Sequence, residues 1–243
     1  MVGTVEVRRA ADRGVLPGVP GVDSRHSFSF GAHLEPGNTH HGVLLAHHED
    51  RIAPGAGYDD HPHRDTEIVT WVLAGTLEHA DDAGRTAHVT AGSVQRLSAG
   101  SGVVHRERNA ADDELHLVQM WLLPDEAGVD PVHEVVDVSA ALHDGGWVPV
   151  AGPADRSVGA GLGIADAVLH VARPSAGADL ELPPAPFLHV FVARGEVGLG
   201  EAVLHPGDTA RLAGPTATVV RTHTDAEVLA WAMATDLMGD PDR

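Results

Sequence analysis

The sequence predicts an all-β protein of sandwich or barrel architecture, present twice. Three observations predict it. Apolar residues come in short runs of strand length. The runs are punctuated by turn formers, with 28 Gly and 16 Pro in 243 residues. The second half of the chain repeats the pattern of the first. No stretch shows the long, capped apolar period of a helix.

In chain order, the first half contributes IVTWVL (68–73), SVQRL (93–97), GVVH (102–105) and LHLVQMWLL (115–123). The second half contributes VLHVA (168–172), LHVFVA (188–193) and VLAWAMA (228–234). These runs are rich in Val and Leu, and Gly, Pro, Asp or Asn lies near most of their ends, which is the signature of strands. By the period of two, Leu115, Leu117, Gln119 and Trp121 share one strand face. Residues 139–143 read as a short helical turn in a connector.

The repeat aligns IVTWVLAGTLEH and AHVTAGSVQRLSAG with LHVFVARGEVGL and AVLHPGDTARLAG. Gly75 falls on Gly195, Gly92 on Gly207 and Leu97 on Leu212. Two copies are too few for a solenoid, so a duplicated domain is expected. The segment 124–153, rich in Asp, Gly and Pro, separates them. The division is placed at 1–135 for the first domain and 136–243 for the second.

Composition narrows the chemistry. Thirty-five Asp and Glu stand against 16 basic residues, all Arg, for a formal charge of −19. Such a chain lacks the positive field that captures phosphate backbones or anionic membranes, so no direct nucleic-acid or membrane partner is expected. The absence of Cys removes disulfides, thiolate metal sites and thiol nucleophiles. Nothing resembles a signal peptide or a membrane span, and a soluble cytoplasmic protein is expected. What remains is imidazole and carboxylate chemistry, and 18 His make imidazole abundant.

Two motifs concentrate it. In HPHRDTE, His61, His63 and Glu67 have one parity and would share a face on an extended strand. In GVVHRERN, His105, Glu107 and Asn109 again match. Three imidazoles and a carboxylate suit Fe, Mn, Co, Ni, Cu or Zn. An octahedral ion on four such ligands keeps two positions open, as a catalytic site requires. Parity alone does not choose between Glu67 and Glu107.

GYDDHPHRDTEIVTWVLAG resembles the first motif of the cupins, a Gly-led His-x-His with a following Glu and a Gly ending the hairpin. GSVQRLSAGSGVVHRERN resembles the second, although Ser98 stands where the family has proline. The stretch from Glu67 to Gly75 is also one residue longer than the general cupin pattern. Both departures are those of the pirin branch, and RHSFSFG (25–31), HPHRDTE (61–67), SAGSGVVHRE (98–107) and LHLVQMW (115–121) are similar to bacterial pirins of the quercetinase-like kind. The likeness is strong from about residue 25 to 124 and weak beyond.

The resemblance implies two tandem cupin barrels (double-stranded β-helix, or jelly roll), a bicupin. It implies metal ligands His61, His63, His105 and Glu107, with Glu107 also the catalytic base and Glu67 the alternative ligand or outer-sphere group. It implies one divalent transition metal, iron(II) first, with Mn, Co, Ni, Cu and Zn as alternatives. The implied activity is cleavage of a small planar aromatic, a flavonol such as quercetin, with O2. The rival implication is a non-catalytic metal-binding pirin that acts as a protein-interaction module.

The remaining candidates have plainer readings. Counting from Gly195 and Gly207 puts Glu181, Pro183, Phe187, Val220 and Thr222 where the first half has its site residues, so the second copy has lost the metal. His189 reads as a hydrogen-bonded strand histidine. His26, Phe28 and Phe30 read as a covering N-terminal strand, with a pocket mouth as the alternative. His40–His41 and His47–His48 read as structural, with a pocket rim as the alternative, and His116 and Gln119 as packing. Arg64 and Asp65 are either an outer-sphere pair or a solvated ion pair. The Asp pairs at 59–60, 81–82 and 112–113 read as turns, and Asp155 and the terminal GDPDR as solvated loop or tail.

Overall fold

A computed structural model describes residues 4–154, 159–214 and 218–237. Asp155 and GDPDR lie outside the described residues. The fold is all-β, as expected. Among the described residues the only helical elements are two 3-10 turns, Ala10–Asp12 and Ser139–Asp144. The second is the connector turn anticipated at 139–143. Every apolar run predicted as a strand is one: Glu67–Ala74, Ser93–Ser98, Val103–Asn109, Leu115–Leu122, Ala167–Ala172, Phe187–Arg194 and Glu227–Met233.

The strands form two seven-stranded and two four-stranded sheets. In the first half, Glu67–Ala74 lies between Ser93–Ser98 and Leu115–Leu122 in a seven-stranded sheet. Its partner is a four-stranded sheet in which Val103–Asn109 runs between Gly57–His63 and Thr76–Asp81. The second half repeats this plan: Glu227–Met233 joins Phe187–Arg194 to Ala167–Ala172, and Val219–Thr222 runs between Asp179–Glu181 and Val197–Leu199. One strand crosses over. Thr4–Arg8, at the start of the chain, pairs with Thr209–Ala213 in the second half. The division expected at 135/136 falls within the strand Val132–Asp137.

Strand parity explains why the apolar runs are continuous rather than alternating. Val72, Leu115 and Leu117 fill the first barrel with Ile52, Leu77 and Val89. The opposite faces of the same strands carry Trp71, Leu73, Val118, Met120 and Leu122 into a second core, where they meet Phe191, Leu229, Trp231 and Met233 from the second half. A strand buried on both faces has no polar side to show. Trp71 Nε1 donates to Glu227 Oε1 at 2.8 Å across this seam, and the Arg173 guanidinium lies over the Trp71 ring.

The second barrel is filled by hydrocarbon. Leu188, Val190, Val192, Leu199, Leu212, Val220 and Val228 belong to one buried cluster. Strand register refines the repeat alignment. Glu107 pairs with His79, four residues after Gly75, and Val220 pairs with Leu199, four residues after Gly195. Val220 therefore takes the place of Glu107 and Leu199 that of His79. Counting from Gly207 slips by two, because the chain from Ala213 to Val220 is two residues shorter than the equivalent stretch from Ser98 to Glu107. Apolar side chains thus stand where the first half has Glu107 and His79.

At one end of the seam the apolar core gives way to histidine. His47 lies 4.9 Å, centroid to centroid, from His189 and 4.6 Å from Phe191. His189 departs from expectation: it is buried, it stacks on Phe28, and neither of its ring nitrogens has a hydrogen-bond partner among the described residues. Burial pushes the His47 imidazole down to about 3 and the His48 and His189 imidazoles well below their ordinary range. An unfolded histidine titrates near ~6.5. Below that pH the unfolded chain binds more protons than the folded one, so stability is complete above about pH 6.5 and drains away as the pH falls toward 3. Asp50, which burial raises to about 6, acts in the opposite sense over a narrower window. His47 alone accounts for about 2 kcal/mol at pH 5. A thermal melt series from pH 7.5 to 4.5 is expected to show Tm falling steadily below pH 6.5; a Tm constant down to pH 5 would contradict this.

Candidate metal centre

His61 and His63 lie on the strand Gly57–His63, and His105 and Glu107 on its neighbour Val103–Asn109. The second strand alternates without exception: Val103, His105, Glu107 and Asn109 are buried, and the residues between them are at least partly exposed. His105 stands directly opposite His61, and His63 opposite Val103. Between His105 and Glu107 the register shifts, so that Glu107 faces Tyr58. This bulge lets the two strands aim their side chains at one point despite the extra residue. Gly57 sits at φ 150° against the second strand, where a Cβ would collide with the backbone oxygen of Glu107. The glycine leading the His-x-His motif thus permits the close approach of the two strands.

The three imidazoles converge. One ring nitrogen from each of His61, His63 and His105 lies within 4.8 Å of the other two. A second group, His79, His105 and Glu107, satisfies the same limit and is fully buried. Glu107 is therefore beside His105, displaced from His61 and His63 toward His79.

Glu67 goes elsewhere. The shared parity of 61, 63 and 67 does not survive, because the chain turns at Asp65, which has a φ of 47°. Glu67 starts a strand of the other sheet, accepts a short hydrogen bond from Ser98 Oγ and lies 3.4 Å from Arg96 Nε. It belongs to neither imidazole group.

The ring nitrogens are arranged for ligation. His61 Nδ1 lies 2.7 Å from the carbonyl of Asp59. The proton belongs on that nitrogen, which leaves the Nε2 lone pair free. His105 Nδ1 lies 3.4 Å from His79 Nδ1, and His105 Nε2 is buried without a partner. A proton donated from His105 Nδ1 to His79 likewise frees Nε2. His79 then carries its own proton on Nε2, 3.8 Å from the buried Asp81 carboxylate. Burial, reinforced by neighbouring imidazoles, lowers His63 and His79 to about 4 and His105 to about 3. All three are held neutral, the form that binds metal. An orphaned buried nitrogen, two free lone pairs and a nearby carboxylate fit a divalent transition metal.

Glu107 is held on both oxygens. Gln119 Nε2 donates to Oε2 at 2.8 Å and Gln95 Nε2 to Oε1 at 3.2 Å. His133 Nε2 lies 3.0 Å from Gln95 Oε1, and its ring stacks on His79 with centroids 4.1 Å apart. His79, Gln95 and His133 carried no expectation from the sequence, and Gln119, read as packing, faces the carboxylate instead. Strand parity was the available signal for Gln119, since it shares a face with Leu115 and Leu117. For His79 and His133, which are distant in sequence, there was none.

Aromatic rings adjoin His63. The Trp121 ring stands edge-on to His63 at 4.9 Å, and Phe30 stands edge-on to Trp121 at 5.3 Å. His26 stacks on Phe30, and His48 contacts both Phe30 and Trp121. Phe28 departs from this group and joins the core between the barrels, because the strand carrying His26 ends there. Of the acidic pairs read as turns, Asp59 and Asp60 lie on the bulged strand. The Asp81 side chain is buried and binds Arg85. Arg64 is exposed and pairs with Asp65 at 3.4 Å.

Comparisons with known proteins agree with this architecture. The family model described as Pirin matches residues 5–122. Over 236 residues, 96% of each chain, the sequence is 44% identical to a Mycobacterium tuberculosis protein provisionally named a quercetin 2,3-dioxygenase. Over 114 residues, 46% of this chain and 49% of the relative, it is 43% identical to the quercetin 2,3-dioxygenase of Escherichia coli K12. The fold superimposes with a TM-score of 0.88 on the crystal structure of the E. coli bacterial pirin YhhW in complex with nickel(II), at 29% identity, over 96% of this chain and 100% of that one.

Proposed function

The chain belongs to the pirin family, and from that premise we propose that it is a metal-dependent dioxygenase that opens flavonols such as quercetin with O2. The observation that carries this is the convergence of His61, His63 and His105, with Glu107 beside His105 and the Trp121 ring against His63. We assign His61, His63, His105 and Glu107 as the metal ligands. Iron(II) is our first choice of ion; the same donors accept nickel, the ion in the E. coli pirin complex. A divalent ion bound there supplies Lewis-acid activation of an enol oxygen.

The chain's own residues do the rest. A flavonol must lose its 3-hydroxyl proton to become electron-rich enough to react with O2. A carboxylate oxygen of Glu107 is the acceptor at hand, and the two amides that hold it keep it oriented toward His105. Trp121 and Phe30 offer flat apolar surface to a planar substrate beside His63. Half-buried His61 and His63 lie on the solvent side, and buried His105 and Glu107 on the inner side. The substrate is thereby directed to enter with its reacting oxygen toward the imidazoles.

Glu107→Gln removes the proton acceptor and one ligand together, so it is assayed in excess metal, with the ion held by the three imidazoles. Under those conditions it is expected to lose flavonol turnover by roughly 10²–10⁴-fold, the usual range for a general base. Turnover within threefold of wild type at equal metal content would remove Glu107 from that role.

A further inference from the structure

We infer that Trp121 is a positioning residue for the metal centre, acting through Gln119 on Glu107; the inference rests on the metal-centre reading proposed above. An indole N–H can only donate. Trp121 Nε1 donates to Gln119 Oε1 at 3.0 Å, and this fixes which end of the amide faces inward. Gln119 must then present its NH2 group to the barrel interior, where it meets Glu107 Oε2 at 2.8 Å and Thr70 Oγ1 at 3.3 Å. With the amide reversed, a carbonyl oxygen would face a carboxylate oxygen and the indole N–H would face an NH2 group. Both contacts would be repulsive.

Geometry makes the link local and stiff. Gln119 and Trp121 lie two apart on one strand and so share a face. Glu107 and Gln119 are buried, at 2% and 7% exposure, so water does not replace a lost donor. No side chains other than Gln95 and Gln119 donate to the Glu107 oxygens among the described residues. The same indole stands edge-on to His63. One side chain therefore touches an imidazole ligand with its ring and aligns the carboxylate through its N–H. Outer partners of this kind typically cost ~10–100-fold in metal affinity when removed.

The test is nickel affinity of the full-length protein, measured by competition with a chelator. Trp121→Phe keeps an aromatic ring against His63 and Phe30 but removes the N–H. Gln119→Leu removes the amide. Each is expected to weaken nickel binding by about tenfold, and the double variant to bind no more weakly than the poorer single one, because both act on one link. Gln119→Glu, isosteric but with a carboxylate oxygen facing Glu107, is expected to lose more than Gln119→Leu. Melting of the metal-free variants separates loss of affinity from loss of fold, and if Gln119→Leu does not fold, Trp121→Phe decides the matter alone. Nickel affinity of Trp121→Phe equal to wild type would overturn the inference, as would tighter binding or effects that multiply in the double variant. A wild-type protein that takes up no nickel would instead overturn the metal-centre reading itself.

Discussion

Replacing His105 by alanine is expected to empty the metal centre. Purified His105→Ala should hold less than about 0.1 ion per chain under conditions that load the wild type to about one. His105 is the common member of both donor groups, with His61 and His63 on one side and His79 and Glu107 on the other. It is also the most deeply buried of the three imidazoles, at 1% exposure, so water does not replace it as a ligand. Loss of an inner ligand should exceed the ~10–100-fold that outer partners cost. His79→Leu gives the contrast: it removes the ring that meets His105 Nδ1 and stacks on His133, and it should fall within that outer range. Elemental analysis of both variants, with melting curves to confirm that each is folded, checks the pair. A full complement of metal in His105→Ala would mean that the ion sits elsewhere.

The second large effect concerns the seam between the barrels. Trp71→Ala is expected to destabilise the protein by about 3–5 kcal/mol, the usual cost of deleting a fully buried tryptophan. That corresponds to a drop in Tm of roughly 6–20 °C. Trp71 has no exposed surface, and its loss deprives Glu227 of a 2.8 Å donor and Arg173 of the ring it covers. Glu227 keeps Arg173 at 3.1 Å and Arg194 at 3.8 Å, which limits the penalty to the cavity and one hydrogen bond. Trp71 points away from the first barrel's interior, so metal content per folded chain should be unchanged. A Tm within 2 °C of wild type would show that the seam contributes little to cohesion.

Much of this was legible in the sequence, for identifiable reasons. Strands such as Glu67–Ala74 and Leu115–Leu122 are buried on both faces, and two-sided burial writes itself as a mostly apolar run without alternation. The convergence of His61, His63 and His105 was legible because each sits at a regular position on one of two paired strands. Glu67 misled because parity holds only while a strand continues, and the turn at Asp65 interrupts it. His79, Gln95 and His133 were out of reach because they meet through register between strands far apart in sequence. The two-residue slip in the second copy has the same origin: the glycines aligned, but the chain from Ala213 to Val220 is two residues shorter than that from Ser98 to Glu107. His47 and His189 were missed as a cluster because the seam brings together outward faces of two halves that sequence reading treated separately.

A gas and substrate balance on the metal-loaded protein with quercetin in oxygenated buffer tests the proposed dioxygenase activity most directly. Flavonol loss, O2 uptake and carbon monoxide release are followed together, against the same ion free in solution and against His105→Ala. One O2 is expected to be consumed and one carbon monoxide released per quercetin, at a rate well above free metal and abolished in the variant. Quercetin loss no faster than with free metal, from protein shown to hold its ion at His61, His63 and His105, would contradict it.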